Sequence, residues 1–198
     1  MAAEPLVEEP FAVINADDFY GADAYVALSD CLQREISEDV PTYAMVGYAL
    51  RDTLTGTGTV NRGCCRCTPD GCLESIVEVT NIELDGPDGR CVDESGHDRI
   101  ISGSELVSMN AWGFQPVFFD QLRERFERFL RENALSETAE FYLPDAIADI
   151  IRAGCARVKV LPTKDKWTGI THPADKSRVV KMIGDLIRQG RYPSNLWE

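Results

Sequence analysis

Two adjacent aspartates, Asp17 and Asp18, follow an apolar run at residues 11–14. A run that is apolar on both faces predicts a buried central strand of a parallel sheet, and ligands of open α/β sheets bind beyond the carboxyl ends of such strands. Carboxylates at that place could hold Mg²⁺, which shares phosphate oxygens with a substrate. Either aspartate could instead cap the helix that follows. The residues alone leave both interpretations open, and one aspartate could do each job.

Strand and helix patterns alternate along the rest of the chain and supply the elements that position these carboxylates. Apolar spacing predicts strands at residues 43–50, 60–66, 73–80, 106–114 and 156–161, and helices at residues 22–34, 118–129, 143–151 and 173–189. Turn signals fall at residues 55–58 and 69–71, and residues 85–104 predict an exposed loop or irregular hairpin. This alternation predicts an α/β fold, a mixed sheet in three layers with helices on both faces.

Composition limits the classes of protein to which the chain can belong. The 198 residues are 44% hydrophobic, and 20 Lys+Arg against 33 Asp+Glu give a formal net charge of −13. This predicts one globular domain with a real core, and the acidity argues against partners that are nucleic acids or anionic membranes. With no apolar run of the ~18 residues that a membrane span needs and no leader pattern, we expect a cytoplasmic protein. A phosphate-bearing small ligand is compatible with the charge, because a metal ion can offset it.

Seven cysteines form the second group of residues that could do chemistry. Their odd number predicts reduced, buried thiols and no disulfide framework. Cys64, Cys65, Cys67 and Cys72 raise the alternative of a zinc-stabilised domain, although paired C-x-x-C knuckles are missing. Alternation along a strand places Cys65 and Cys67 on one face and Cys64 on the other. That arrangement favours structural cysteines beside a turn.

The segment at residues 15–21, Asn-Ala-Asp-Asp-Phe-Tyr-Gly, resembles the metal-binding strand end of the sugar-1-phosphate nucleotidyltransferases. Many members of that family have Gly-Asp-Asn there, followed shortly by Phe-Tyr-Gly. The resemblance continues in order through most of the chain. Its further segments are residues 58–60 (Gly-Thr-Val), 73–78 (Leu-Glu-Ser-Ile-Val-Glu), 108–114 (Ser-Met-Asn-Ala-Trp-Gly-Phe), 139–145 (Ala-Glu-Phe-Tyr-Leu-Pro-Asp) and 167–172 (Trp-Thr-Gly-Ile-Thr-His).

This resemblance implies a nucleotide-diphospho-sugar transferase-like fold and Mg²⁺-assisted nucleotidyl transfer. A sugar-1-phosphate oxygen would attack the α-phosphate of a nucleoside triphosphate, and pyrophosphate would leave. The resemblance implies that Asp17 is the Mg²⁺ ligand and that Asp18 supports it, the two together being the catalytic carboxylates. The substrate-binding residues that it implies are Gly58, Glu78, Asn110, Glu140 and Trp167.

The sequence also departs from the family pattern. A Gly-rich phosphate-binding loop is absent before residue 11, Val79 stands where the family has Lys, and Thr168 and Gly169 replace a second metal carboxylate, for which Asp165 and Asp175 are nearby candidates. We therefore expect residues 1–198 to form the C-terminal two-thirds of an N-terminally truncated nucleotidyltransferase-like domain, with residues 1–10 as an acidic lead-in. Such a fragment would be inactive alone. The alternative is a non-catalytic module of the same fold that binds a sugar phosphate or a protein.

The truncation also predicts how the chain behaves in solution. Lost neighbouring strands would expose the edge of the apolar strand at residues 11–14, and exposed apolar edges pair with other chains. We therefore expect self-association, with a homo-oligomer as one outcome.

Overall fold

The computed structural model describes residues 2–34, 40–54, 58–93, 95–170, 173 and 175–195. Most of the turn predicted at residues 55–58, and the end of the segment at residues 167–172, lie outside these ranges. Within them the helices are α1 (Ala22–Leu32), α2 (Phe118–Glu132), α3 (Leu143–Arg152) and α4 (Asp175–Arg188). None of these helices has the length and apolar character that crossing a membrane requires.

The strands of the described ranges are β1 (Phe11–Val13), β2 (Asp18–Phe19), β3 (Thr42–Ala49), β4 (Val60–Cys67), β5 (Leu73–Asp85), β6 (Asp88–Val92), β7 (Asp98–Ile101), β8 (Leu106–Phe114), β9 (Arg157–Pro162) and β10 (Thr168–Gly169). The main sheet has the order β7-β6-β5-β4-β8-β3-β9, and β1 also pairs with β8. Strands β3 and β9 are parallel, whereas β8 is antiparallel to β1, β3 and β4. The short strands β2 and β10 pair separately. Strands β6 and β7, which lie in the segment predicted as a loop or irregular hairpin, pair antiparallel and extend the sheet.

Alternate side chains of β3 face opposite sides of the sheet and divide the core in two. Tyr43 and Met45 pack on the side that is covered by α2 and α3. Ala44, Val46 and Tyr48 pack on the side that is covered by α1. The predicted three-layer α/β architecture with helices on both faces is therefore confirmed.

Strand β1 differs from the central strand of a parallel sheet that its apolar run predicted. It has three residues, runs antiparallel to β8 and has no second strand neighbour among the described residues. Phe11 instead packs into the core on the α2 side, where its ring lies 4.9 Å from that of Phe119, while Ala12 is exposed. A cavity of about 830 Å³ separates β1 from α1. The run is also less buried than predicted, because Phe11 and Val13 are half-buried and Ile14 is exposed. Self-association through this edge stays a prediction.

The cysteines of β4 lie on opposite faces of the sheet. Cys64 belongs to the core on the α1 side and Cys65 to the core on the α2 side, so the two thiols cannot surround one ion. All seven thiols are free, and the described residues contain no group of three or more side chains arranged to hold a metal ion. The opposite facing of Cys64 and Cys65 that strand alternation predicted is confirmed, and the structural role of the cysteines stays a prediction.

Because these thiols are buried, the free energy of unfolding is expected to depend on pH in the alkaline range. Burial raises the pKa of the Cys64 thiol to about 11 and also raises that of Cys65. Above pH ~8.5 the unfolded thiols lose their protons while the native ones keep theirs, so the native state binds more protons and its stability falls as pH rises. We expect the free energy of unfolding in urea to be level up to pH ~8 and to fall by roughly 3 kcal/mol through Cys64 alone by pH ~11. As the matching control, the free energy of unfolding of Cys64→Ala should fall less over the same pH range. A wild-type free energy that stays level up to pH ~11 would contradict the raised pKa of the Cys64 thiol.

Candidate functional site

A cleft of about 740 Å³ lies where the residues after β1 meet β4, β5, β8 and the start of α3. Its lining includes five of the seven site residues that the sequence predicted: Asp17, Asp18, Glu78, Asn110 and Trp167. Gly58 lies outside this lining. Glu140 also lies outside it, but it accepts a hydrogen bond from the hydroxyl of Tyr142, which does line the cleft. The fold therefore brings together side chains that are up to 150 positions apart in the sequence.

The two aspartates have different surroundings. Asp18 is half-buried, and its Oδ2 accepts hydrogen bonds from Asn15 Nδ2 at 2.9 Å and from the Tyr20 hydroxyl at 3.1 Å. Asp17 is exposed, its carbonyl accepts a hydrogen bond from Ile170 N at 2.8 Å, and its carboxylate has no hydrogen bond to another described residue. Asp18 is thus a fixed carboxylate, and Asp17 is a carboxylate available to an external cation.

Neither aspartate caps the helix that follows. The N-cap position of α1 is Gly21, which offers no side chain, and the N–H of Asp23 donates to Oδ2 of Asp165 at 2.8 Å. Asp165 is 5% exposed and its other oxygen accepts from Arg191 Nη2 at 2.7 Å. Asp165, one of the two nearby candidates for a second metal ligand, is therefore occupied as a helix cap. The other, Asp175, pairs with Arg178 in α4.

Arg62 is the main residue of the cleft that sequence reasoning missed. It is 8% exposed, and it donates to Thr53 Oγ1 at 3.0 Å, Thr53 O at 2.5 Å and Asn61 O at 2.7 Å. Its guanidinium carbon lies 4.9 Å from the centre of the Trp167 ring, a cation–π arrangement. Burial lowers the pKa of Arg62 to about 10, and the negative charges of Glu78 and Asp18 oppose this shift. The available signal was strand alternation, which puts Arg62 on the same inward face as Cys64.

Glu78 and Asn110 reach the cleft from neighbouring strands. Glu78 stands opposite Gly63 in the β4–β5 pair; partial burial raises the pKa of its carboxyl and the Arg62 charge opposes the rise. Asn110 lies within β8 with a φ of +59°, a conformation that Asn tolerates better than most residues. The β3–β8 register shifts between Ser108 and Trp112, and a bulge of this kind re-aims a side chain; Asn110 is exposed at the cleft.

The lining carries more negative than positive charge. Its carboxylates are Asp17, Asp18, Glu78 and Asp145, and its cation within the described ranges is Arg62, which already donates three hydrogen bonds. An anionic ligand such as a phosphate would be repelled unless a cation accompanied it. The cleft is therefore suited to hydroxyl-rich ligands and to phosphates that arrive with a metal ion.

No family model and no curated protein matches the chain. Among solved structures, a protein from Bacillus anthracis assigned as a glucose-1-phosphate thymidylyltransferase, in complex with a sucrose, matches 93% of this chain and 58% of its own, with a TM-score of 0.55 and 11% identity. A CTP:phosphocholine cytidylyltransferase from Streptococcus pneumoniae matches 87% of this chain and 57% of its own, at 0.49 and 10%. A nucleoside-diphosphate-sugar pyrophosphorylase from Vibrio cholerae matches 90% of this chain and 59% of its own, with a TM-score of 0.46 and 12% identity.

We take the fold from the first of these structures, the one with a TM-score above 0.5. The chain has the nucleotide-diphospho-sugar transferase-like fold of the sugar-1-phosphate nucleotidyltransferases, as the ordered motifs predicted. It spans 58% of the length of that neighbour. At 11% identity the likeness shows the fold and nothing finer.

Proposed function

We propose that the cleft binds a sugar 1-phosphate together with Mg²⁺, as the sugar-phosphate half of a nucleotidyltransferase site. The carrying observation is that Asp17, Asp18, Glu78, Asn110 and Trp167, which come from separate segments, line one cleft in a fold of this class. Core packing does not require these residue types there. Metal, hydroxyl and ring contacts to a phosphorylated sugar do require them.

The donor set fits a hard divalent cation. Asp17 would hold Mg²⁺ through its exposed carboxylate, with Asp18 beside it. Gly169 faces Asp18 across the β2–β10 pair, and a Cβ at position 169 would lie 2.9 Å from the Trp167 ring and 3.2 Å from Asp18 Oδ1, so glycine leaves room for both side chains. When bound, Mg²⁺ would supply the positive charge that the phosphate needs in this acidic cleft.

The remaining residues would bind the sugar. Glu78 can accept hydrogen bonds from hydroxyl groups, and Asn110 can both donate and accept them. Trp167, whose ring packs against the guanidinium of Arg62, offers an apolar surface. In the proposed reaction a phosphate oxygen of the sugar 1-phosphate attacks the α-phosphate of a nucleoside triphosphate, and pyrophosphate leaves. The protein's part is to orient the two phosphates, with no covalent nucleophile of its own.

A second candidate is a module that binds the sugar phosphate without turning it over. It is favoured by the charge of the cleft, whose lining cation Arg62 is committed to Thr53 and Asn61. We propose that the chain by itself binds and does not catalyse. Release of pyrophosphate from a nucleoside triphosphate in the presence of glucose 1-phosphate would support the enzyme. Binding of glucose 1-phosphate without release of pyrophosphate would support the module.

Binding itself is tested by calorimetric titration of glucose 1-phosphate with and without Mg²⁺. We expect Mg²⁺-dependent binding that weakens roughly tenfold to a hundredfold in Glu78→Ala, because hydrogen bonds to a charged acceptor contribute about 1.5–3 kcal/mol each. Glu74→Ala removes the same charge from the same strand, at an exposed position that is paired with Arg66, and is expected to bind as the wild type does. Equal affinities for the two variants would exclude Glu78 from the site, and no heat with any phosphorylated sugar would refute the proposed function.

A further inference from the structure

Tyr20 joins the carboxylate segment to the central sheet. Its side chain is 1% exposed. Its hydroxyl oxygen lies 3.1 Å from Asp18 Oδ2 and 2.9 Å from Met109 O in β8, and it accepts a hydrogen bond from Asn15 N at 3.1 Å. One phenolic proton serves the two acceptors in turn. A single buried hydroxyl therefore connects Asn15, Asp18 and β8.

The consequence is that one oxygen of Asp18 is fixed and the other is open. Oδ2 accepts from the Tyr20 hydroxyl and from Asn15 Nδ2. Oδ1 has no hydrogen bond to another residue in the described part of the chain. Residue 169 is glycine, and a Cβ there would lie 3.2 Å from Oδ1 and 2.9 Å from the Trp167 ring. Asp18 thus presents a single oriented oxygen in the cleft that Asp17 also lines.

We infer that Tyr20 is a positioning residue of the proposed divalent-cation site, whose hydroxyl holds the Asp18 carboxylate so that Oδ1 stays available to the ion. This inference rests on the proposed function. Hydrogen bonds that orient a ligating carboxylate commonly account for tenfold to hundredfold in metal affinity. Tyr20 acts through Asp18 and touches neither the ion nor the substrate.

A comparison with a second buried tyrosine separates positioning from packing. Tyr43 is 0% exposed, and its hydroxyl donates to Gln121 Oε1 at 2.8 Å on the α2 side of the sheet. Removing that hydroxyl also leaves a half-buried polar partner without its hydrogen bond, which destabilises the fold without touching a carboxylate. Tyr43→Phe is therefore the matched control for Tyr20→Phe.

The test is Mn²⁺ affinity, measured by electron paramagnetic resonance with and without glucose 1-phosphate. We expect Tyr20→Phe to weaken Mn²⁺ binding about tenfold and Tyr43→Phe to leave it unchanged, although both variants unfold at lower urea concentrations. Wild-type affinity in Tyr20→Phe would overturn the inference and leave the proposed function standing. A wild-type chain that does not bind Mn²⁺ would overturn both.

Two further variants show whether Tyr20 acts through Asp18. In an Asp18→Asn background, Tyr20→Phe is expected to cause no further loss of affinity, because the oxygen that it orients no longer carries a charge. Full additivity of the two losses would contradict the inference. Asn15→Ala removes the other hydrogen bond to Oδ2 from an exposed residue, and it decides the matter if Tyr20→Phe does not fold. We expect Asn15→Ala to weaken Mn²⁺ binding as well. An unchanged Mn²⁺ affinity would indicate that the hydrogen bonds to Asp18 Oδ2 have no role in binding the ion.

Discussion

Asp17→Ala is expected to abolish the Mg²⁺ dependence of sugar-phosphate binding, with a loss of about a hundredfold or more in affinity at saturating Mg²⁺. The carboxylate is exposed and has no hydrogen bond to the described residues, so its removal takes away a cation ligand and little else. Without Mg²⁺ the affinity should stay within about twofold of the wild-type value. A small increase is expected, because one carboxylate that repels the phosphate has been removed. Calorimetric titration of glucose 1-phosphate at several Mg²⁺ concentrations measures both values.

The control for this substitution is Asp85→Ala. Asp85 is an exposed aspartate at the end of β5, so this variant changes the net charge of the protein by the same amount away from the cleft. We expect it to bind as the wild type does. If Asp17→Ala keeps the Mg²⁺ dependence, Asp17 is not the ligand. The proposal for Glu78 and Asn110 would then have to be tested separately.

Gly21→Ala is expected to destabilise the protein by about 4 kcal/mol or more. Gly21 has a φ of +82° and a ψ of 161°, a region that is essentially restricted to glycine. A Cβ at this position would lie 2.2 Å from Asp165 Oδ2. The methyl group can fit only if Asp165 moves, and Asp165 both caps α1 and pairs with Arg191. Urea unfolding followed by circular dichroism measures the loss.

A second glycine separates backbone strain from this collision. Gly96 has a φ of +81°, but a Cβ there would meet nothing within 4 Å. Gly96→Ala should therefore show the backbone strain alone, about 1 kcal/mol. Similar losses in the two variants would mean that the contact with Asp165 contributes nothing. A larger loss is expected in Gly21→Ala, because this position combines the collision with Asp165 and a φ/ψ region that is essentially restricted to glycine.

Local sequence patterns predicted most of the elements, because those patterns act within one element. Strand β8 has the predicted bounds, Leu106–Phe114, and α3 ends just before Gly154, whose φ of +67° suits a helix terminus. The division of the β4 cysteines between two faces followed from strand alternation alone. In each case the spacing of apolar residues selects the buried face whatever lies against it.

The candidate site was predictable in part and for a different reason. Asp17 and Asp18 stood out because adjacent carboxylates after an apolar strand have no role in a core, and the ordered resemblance indicated Glu78, Asn110 and Trp167. Arg62 and Tyr20 did not stand out. Their importance depends on partners that are distant in sequence, such as Trp167 for Arg62 and Met109 for Tyr20.

The sequence by itself determined the order of the helices and longer strands and the three layers of the fold, since these follow from short-range periodicity, and its ordered motifs indicated part of the cleft. Only the tertiary structure decided that β1 pairs antiparallel with β8, that Asp165 caps α1, and that the Asp18 carboxylate is held by hydrogen bonds whereas that of Asp17 receives none from the described residues. The first two outcomes are hydrogen bonds between groups that are distant in sequence, and the third depends on Tyr20, whose hydroxyl also bonds to Met109 O in β8. A buried donor or acceptor must find a partner wherever the fold supplies one, and no local pattern specifies where that partner comes from.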